Sequence, residues 1–178
     1  MATTKYNQNT LKLTNKMMMN LFQKENPEIE IIDFSDELQE QVRILNYEWL
    51  EKYFRIEKGD LVSLSNPQVQ IIEKGGFIFY AKMNNQIVGT ASLLKKTENI
   101  FELGKMAVTD NAQGQGIGTI LLEHCLNVAK QKSIQKLVLY SNTKLESAIH
   151  LYRKYGFIEI ELEQGLYERA NIKMEKYL

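Results

Sequence analysis

The sequence predicts a single α/β domain with a mixed, mostly antiparallel central sheet of about seven strands flanked by helices. Three observations lead to this prediction. The chain has 178 residues, of which 44% are hydrophobic, enough for the core of one domain. Runs of β-branched and aromatic residues are joined by short polar turns, which is typical of antiparallel strands. Past residue 100 the order becomes strand, glycine-rich turn, helix and strand, which predicts one parallel pair with a right-handed crossover.

The first half of the chain supplies the antiparallel part of the sheet. Residues 29–33 (IEIID) have the composition of a strand. Ser35 precedes two acids and a helical spacing of apolar residues, which predicts a helix that ends near Gly59. Residues 60–76 form a connector with a short helical stretch around 68–72. Two β-rich runs, 77–82 and 86–94, are separated by Met-Asn-Asn and therefore form a hairpin.

The second half supplies the parallel crossover and the last strands. Residues 101–108 (FELGKMAV) form a strand, and an apolar helical pattern follows the glycine-rich turn. A further strand covers residues 136–141. A shorter helix then ends at Gly156, which suits the position just past a helix C-terminus. Residues 157–162 and 171–178 alternate in polarity and complete the sheet as a terminal strand pair.

The N-terminal residues differ from the rest and divide the chain into an arm, residues 1–27, and a domain, residues 28–178. The arm is rich in Thr, Asn and Lys and has no acid before Glu25. Because it has no arginine and little serine, a loosely ordered arm is favoured over an organellar transit peptide. Its apolar residues predict docking on the domain or on the second subunit of a homodimer.

The overall composition argues against several classes of partner, namely nucleic acid, membranes and metal ions. Lys plus Arg equals Asp plus Glu, 22 of each, so no global charge attracts nucleic acid or a membrane surface. One cysteine, Cys125, cannot form an intramolecular disulfide, and with two histidines it makes a structural zinc site improbable, so we expect no metal. No apolar run approaches the roughly 18 residues of a membrane span. These features predict a cytoplasmic protein.

Residues 111–122 read NAQGQGIGTILL, with three glycines at alternate positions before an apolar helix. A P-loop requires Lys and then Ser or Thr after its last glycine, and Gly118 is followed by Thr119 and Ile120. A dinucleotide fingerprint has the spacing GxGxxG rather than the GxGxG found here. Two interpretations stay open: an anion site at a helix N-terminus, or a tight turn that only permits close packing.

Two segments together resemble the GNAT superfamily of acyl-CoA-dependent N-acetyltransferases. The strand ELGKMAV is followed by QGQGIG, which is similar to the Q-x-x-G-x-G signature of that superfamily. The later SAIHLYRKYGF resembles its A-x-x-x-Y-x-x-x-GF segment. The order of elements from Ile29 to the C-terminus also agrees. The resemblance implies the GNAT fold and acetyl-CoA as the acyl-donor cosubstrate.

The resemblance also implies which residues bind the cosubstrate. The pyrophosphate would lie on the N–H groups of the glycine-rich turn, and pantetheine would pair with the bulged strand before it. Many members have an Asn where this chain has Leu145, so Asn142 is the substitute. Lys144 and Lys154 are candidates for the remaining phosphate. The implied cofactor-binding residues are Met106, Ala107, Val108, Gln113, Gly114, Gln115, Gly116, Ile117, Gly118, Thr119 and Asn142.

Acetyl transfer to an amine requires a base and an acid. Glu102 coincides with the glutamate base of some family members, and the alternative is a solvated acid at a strand end. Tyr152 matches the family's tyrosine acid, and the alternative is a core tyrosine. Cys125 and His124 are interpreted as packing residues, and His150 as an exposed one.

The acceptor side is predicted from the first helix and the link between the last strands, residues 165–174. These segments contribute Trp49, Tyr53, Tyr167 and Arg169. Arg169 can bind a carboxylate of the acceptor, or it pairs with a nearby acid such as Glu168 or Glu161. The leading function is direct transfer from acetyl-CoA to an amine of a small molecule or peptide. The alternatives are a non-catalytic acyl-CoA-binding sensor and, more distantly, a dinucleotide oxidoreductase.

Overall fold

The computed structural model of the protein describes residues 28–163 and 167–178. Its seven strands form one sheet in the order β1-β2-β3-β4-β5-β7-β6, in which only β4 and β5 are parallel neighbours. The predicted mixed, mostly antiparallel sheet is confirmed. The strands are β1 (Ile29–Asp33), β2 (Phe77–Met83), β3 (Gln86–Lys95), β4 (Ile100–Val108), β5 (Lys136–Ser141), β6 (Ile158–Ile160) and β7 (Ile172–Tyr177). The predicted arm, residues 1–27, lies outside the described residues.

Four α-helices flank the sheet on its two faces. They are α1 (Gln39–Tyr53), α2 (Lys58–Ser65), α3 (Ile117–Gln131) and α4 (Glu146–Lys154). Along β2, Phe79 packs in the core beneath α3 and α4, while its neighbours Ile78 and Tyr80 pack in a second core beneath α1 and α2. Consecutive strand residues therefore face opposite cores, as the two-residue period of a strand requires. No helix in the described part of the chain is long and apolar enough to cross a membrane.

The prediction of one helix from Ser35 to near Gly59 was wrong. Ser35 precedes a single 3₁₀ turn, Asp36–Leu38, without a side-chain cap, and α1 ends at Tyr53 because Phe54 has an extended backbone. A separate helix, α2, contains Gly59. It begins at a capping box in which Glu57 and Asp60 each accept a hydrogen bond from the other's backbone N–H. The short helical stretch predicted around 68–72 is a π-helical turn, Gln68–Ile72.

The turns agree with the residues that form them. Asn84 and Asn85 have φ angles of 49° and 65°, which are the left-handed pair that a tight hairpin needs. Gly156 has a φ of 81° just past α4, and the next residue donates to the Tyr152 carbonyl. The strand after it is shorter than predicted, covering Ile158–Ile160 instead of residues 157–162.

The feature of the fold that creates a site is the separation of β4 from β5. Their parallel pairing covers only Ile100 to Glu102 on β4, although β4 continues to Val108. Opposite β3, Gly104 pairs with Ser92 and Ala107 with Thr90, so two residues of β4 face one of β3. This β-bulge contains Lys105, whose φ is 49°. Beyond it, β4 diverges from β5 and leaves a cleft between them.

Candidate functional site

The cleft between β4 and β5 has a volume of about 820 Å³. It continues past the sheet between the glycine-rich turn at one end and α1 with the residues before β7 at the other. Nearly all of the residues predicted to form the site line this cleft. They are Trp49, Tyr53, Glu102, Met106, Ala107, Val108, Gln113, Gly114, Gly116, Ile117, Gly118, Thr119, Asn142, Tyr152, Tyr167 and Arg169. Gln115 does not line it, and its side chain donates to the Asn111 carbonyl instead.

The glycine-rich turn presents uncovered backbone to the cleft. Gly114 and Gly116 have φ angles of 76° and 81°, and a Cβ atom built at either would meet nothing within 4 Å. Gly116 is the N-cap of α3, and no side chain caps that helix. The first N–H groups of α3 therefore have neither an intrahelical partner nor a side-chain acceptor. A positive φ explains two of the glycines, and the open space in front of them suits an anion.

Polar side chains bond to the backbone at both ends of the cleft. Gln113 donates to the Val108 carbonyl at 3.1 Å and to Asp110 at 3.0 Å, which ties the turn to the end of β4. Asn142 donates to the Arg169 carbonyl at 2.7 Å and accepts from the Lys144 N–H at 2.9 Å. Asn142 thus lines the cleft with its amide already bonded to the backbone.

Tyr152 brings a protonated phenol to the bulge of β4. It lies on α4, is 9% exposed, and its hydroxyl contacts the Met106 sulfur at 3.8 Å. Burial raises the pKa of Tyr152 to about 12, with a smaller effect from Cys125, so the hydroxyl keeps its proton at neutral pH. A group that must donate a proton late in a reaction needs this property.

Glu102 is buried, so the interpretation as a solvated strand-end acid was wrong. The residue is 3% exposed. Its Oε1 accepts a hydrogen bond of 2.8 Å from the Tyr167 hydroxyl. Its Oε2 lies 2.5 Å from the Lys96 ammonium, a close ion pair without hydrogen-bond geometry. Each oxygen of this carboxylate therefore faces one specific neighbour.

Behind Tyr167, three charged side chains form a buried cluster. Arg169 donates from both terminal nitrogens to Asp60, at 2.6 and 2.9 Å, and Lys105 lies 3.2 Å from the same carboxylate. Asp60 is 1% exposed. Burial alone would raise the pKa of Asp60, but hydrogen bonds from Arg169 and the Lys105 charge lower it overall. Burial lowers the pKa of Lys105, and Asp60 opposes that effect.

Arg169 has a different partner from those predicted. It pairs with Asp60 and, at 3.3 Å, with Glu57, instead of Glu168 or Glu161. Its guanidinium also lies 5.9 Å from the Trp49 ring centre and 5.5 Å from that of Tyr167. Tyr53 is at the rim of the cleft and is 46% exposed. The aromatic residues of the acceptor side are therefore grouped around a cation that is already bound.

Sequence reasoning missed Glu57, Asp60 and Lys105. Two signals were present: the Glu57 to Asp60 spacing of a capping box, and a lysine in the middle of the strand ELGKMAV. Of the remaining residues discussed, Cys125 is fully buried and His124 packs edge-on against Phe79 at 4.5 Å, as packing residues would. His150 is exposed and lines the cleft.

Comparison with known proteins agrees with the geometry. The family description "Acetyltransferase (GNAT) family" matches residues 16–157. The chain is 29% identical over 105 residues to a probable N-acetyltransferase, san, of Drosophila melanogaster, covering 57% of each chain. It is 32% identical over 88 residues to a ribosomal protein bS18-alanine N-acetyltransferase of Haemophilus influenzae, covering 49% of this chain and 59% of the other. The matches thus span less than two thirds of these curated relatives.

Solved structures show the same fold. A GNAT-family acetyltransferase from Staphylococcus aureus Mu50 aligns with a TM-score of 0.77 and 25% identity, covering 84% of this chain and 99% of the other. The PaiA N-acetyltransferase of Thermoplasma acidophilum, solved in complex with coenzyme A, aligns with a TM-score of 0.70 and 20% identity, covering 85% and 99%. The family match, the sheet with its diverging β4 and β5, and the glycine-rich turn together show that this chain belongs to the GNAT acetyltransferase family.

Proposed function

We propose that the protein transfers an acetyl group from acetyl-CoA to an amine of a small molecule or peptide, by direct attack in a ternary complex. The observation that carries this proposal is the content of one cleft: an uncapped helix N-terminus at one end and a buried Glu102–Tyr167 pair at the other. The first suits a polyanionic cosubstrate, and the second suits an amine that must lose a proton.

Acetyl-CoA would be held mainly by backbone groups. The pyrophosphate would accept hydrogen bonds from the N–H groups of the turn and of the first residues of α3, where the helix dipole adds roughly half a positive charge. Pantetheine would pair with the part of β4 that β5 leaves free, as an added strand does. A backbone N–H near Met106 would then stabilise the oxyanion of the tetrahedral intermediate.

Two side chains would handle the protons. A lysine-like amine must be deprotonated before attack, at a cost of about 4–5 kcal/mol at pH 7, and Glu102 would accept that proton. Tyr152 would protonate the departing thiolate. Its raised pKa keeps the hydroxyl protonated at neutral pH, so the proton is available for this step. No acylated enzyme intermediate is required, because the amine attacks the thioester directly.

The acceptor would lie among Trp49, Tyr53 and Tyr167. Both terminal nitrogens of Arg169 are committed to Asp60, so we assign Arg169 to holding this wall in place instead of binding an acceptor carboxylate. Relatives named as a ribosomal-protein-alanine N-acetyltransferase and as N-alpha-acetyltransferase 50 make peptide α-amines the first class to test. Small aromatic amines are the second, because the wall is aromatic.

The test combines acetyl-CoA binding with transfer across a panel of peptides and small amines. Acetyl-CoA should raise the melting temperature of the wild type, as a ligand of the folded state does. Gly116→Val should abolish this shift because the side chain enters the space in front of the α3 N-terminus. Gly75→Val is the matched control: Gly75 has a similar φ of 84° but lies outside the cleft, so it bears the same backbone strain.

Three outcomes separate the functions. A shift lost in Gly116→Val but kept in Gly75→Val, with acetyl transfer by the wild type, supports the proposal. A shift without transfer to any amine favours the non-catalytic acyl-CoA sensor. Equal acetyl-CoA binding by wild type and Gly116→Val contradicts the anion site at the glycine-rich turn.

A further inference from the structure

We infer that Tyr167 is a proton relay: its hydroxyl takes the proton of the acceptor amine and passes its own proton to Glu102. This inference rests on the proposed acetyl transfer and deepens it by placing a second residue between acceptor and base. It assigns Tyr167 a chemical role beyond contact with the acceptor.

Both oxygens of Glu102 already have a partner. Oε2 is fully buried beside the Lys96 ammonium. Oε1 accepts a hydrogen bond of 2.8 Å from the Tyr167 hydroxyl. Gly104 lies beneath the same oxygen, since a Cβ there would be 3.2 Å from it. In the proposed relay, an amine in the cleft reaches this carboxylate through the Tyr167 hydroxyl, which already donates to Oε1.

Tyr167 is held in one position by contacts on both sides. Arg169, two residues further on, is bound by Asp60, and Glu57 accepts the backbone N–H groups of Glu168 and Arg169 at 3.1 and 2.8 Å. The Tyr167 ring itself packs against Tyr140, with ring centres 5.5 Å apart. A relay needs its two hydrogen bonds aligned before the reaction. The contacts with Asp60, Glu57 and Tyr140 fix the ring and so provide this alignment.

The direction of the hydrogen bond suits a relay. Burial, together with the adjacent Glu102 charge, raises the pKa of Tyr167 well above its ordinary value. The hydroxyl thus stays protonated and donates to Oε1, which leaves its oxygen lone pairs to accept from an ammonium in the cleft. The neighbouring cations Lys105 and Arg169 lie 5.8 and 5.5 Å from the ring centre.

The ammonium gives one proton to the Tyr167 oxygen as the Tyr167 proton moves to Glu102, so Tyr167 is unchanged. The neutral amine then forms the C–N bond, and the C–S bond breaks. The thiolate receives a proton from Tyr152, and the second proton of the nitrogen, passed through water, restores the Tyr152 hydroxyl. The proton on Glu102 is then the one net proton released to solvent. Lys96 is 37% exposed at the far side of Glu102, where such a proton can leave.

The experiment compares Tyr167→Phe with Tyr155→Phe. Tyr155 also donates to a carboxylate, that of Glu123, but this pair lies outside the cleft. With an α-amine acceptor of pKa about 8, Tyr167→Phe should lose roughly 10²-fold in kcat at pH 6.5 and less than about tenfold at pH 9. The KM for acetyl-CoA should not change, and Tyr155→Phe should keep the wild-type rate at both pH values.

A double variant separates a relay from two independent contacts. If Tyr167 and Glu102 act in series, Tyr167→Phe with Glu102→Gln should be no slower than the worse single variant. A wild-type rate for Tyr167→Phe at pH 6.5, or two losses that multiply, overturns the relay while leaving acetyl transfer intact. A wild type that transfers to no amine overturns the proposed function and the relay with it.

Discussion

The two ends of the cleft differ in the groups that line them: main-chain N–H groups at one end and paired charged side chains at the other. The turn at residues 113–119 has no charged side chain and presents the first N–H groups of α3, which no side chain in the described structure caps. The end proposed for the acceptor contains Lys105 and Arg169, which are largely buried and both bound to Asp60, with Glu57 as a second partner of Arg169. One end is left open for a charged ligand, and the other has its charges already neutralised.

These two constructions would let a chain without net charge bind a polyanion at one end and select an acceptor at the other. Backbone N–H groups leave no unpaired buried charge behind when the cosubstrate dissociates. The glycine-rich end can therefore be stable both with and without its ligand. Buried charges at the acceptor end would be costly if unpaired, and their mutual pairing makes that wall rigid before any acceptor arrives. Under the proposed function, an acceptor would therefore be selected by shape, aromatic contact and the Tyr167 hydroxyl.

The largest effect should come from breaking the buried cluster. Asp60→Asn leaves Lys105 and Arg169 without their shared counter-charge, and should lower the free energy of unfolding by about 3–5 kcal/mol. Denaturant unfolding measures this change. Glu98→Gln is the control, because Glu98 pairs with Lys95 while its side chain is 85% exposed, and it should leave the unfolding midpoint unchanged. Equal midpoints for Asp60→Asn and wild type would show that the cluster adds no stability.

The same cluster makes stability depend on pH. The pKa of Asp60 is lower in the folded state, so its contribution is fully present above its ordinary pKa of about 3.9 and is lost as pH falls through the folded value. Wild type should therefore lose stability below about pH 4 more steeply than Asp60→Asn. Urea unfolding at pH 3 and pH 6 tests this, and parallel losses in the two proteins would contradict it.

Replacing Tyr152, beside the bulge of β4, should change kcat and leave the free energy of unfolding nearly unchanged. Tyr152→Phe removes the proton donor near Met106 and should lower kcat by roughly 10²-fold, with acetyl-CoA affinity nearly unchanged. Stopped-assay turnover and the acetyl-CoA thermal shift measure the two quantities. Tyr155→Phe, three residues further on, controls for loss of a hydroxyl. A matching loss of affinity would assign Tyr152 to cosubstrate binding.

The comparison also shows what a sequence can predict. The glycine-rich end is local: Gly114 and Gly116 stand within one turn, and the resemblance of that segment to a family signature predicted that they line the cleft. The position of Tyr152 in the cleft was predictable because its segment resembles a second family motif. The acceptor end joins Asp60 to a residue 109 positions away, Arg169, and no local pattern indicates which acid an arginine will find. For the same reason the burial of Glu102 was not predictable, since Lys96 and Tyr167 cover it only in the fold.

The smallest predicted effect concerns Gly104, on which the position of Glu102 depends. A Cβ at residue 104 would lie 3.2 Å from Glu102 Oε1 and 3.1 Å from Leu94 Cδ1, so one of the two must move by a few tenths of an ångström. Gly104 has no left-handed φ, so Gly104→Ala adds no backbone strain. The displaced carboxylate should lengthen its bond to Tyr167 and lower kcat about tenfold at pH 6.5, without changing the KM for acetyl-CoA.

Gly59→Ala is the control for Gly104→Ala, because a Cβ at residue 59 meets nothing within 4 Å and lies in α2, away from the carboxylate. Alanine in place of this helical glycine should keep kcat and raise stability by up to about 1 kcal/mol. If Gly104→Ala also kept the wild-type kcat at pH 6.5, the alignment of Glu102 under Tyr167 would not limit the reaction. In that case the rigidity of the acceptor end would serve the fold and not the chemistry.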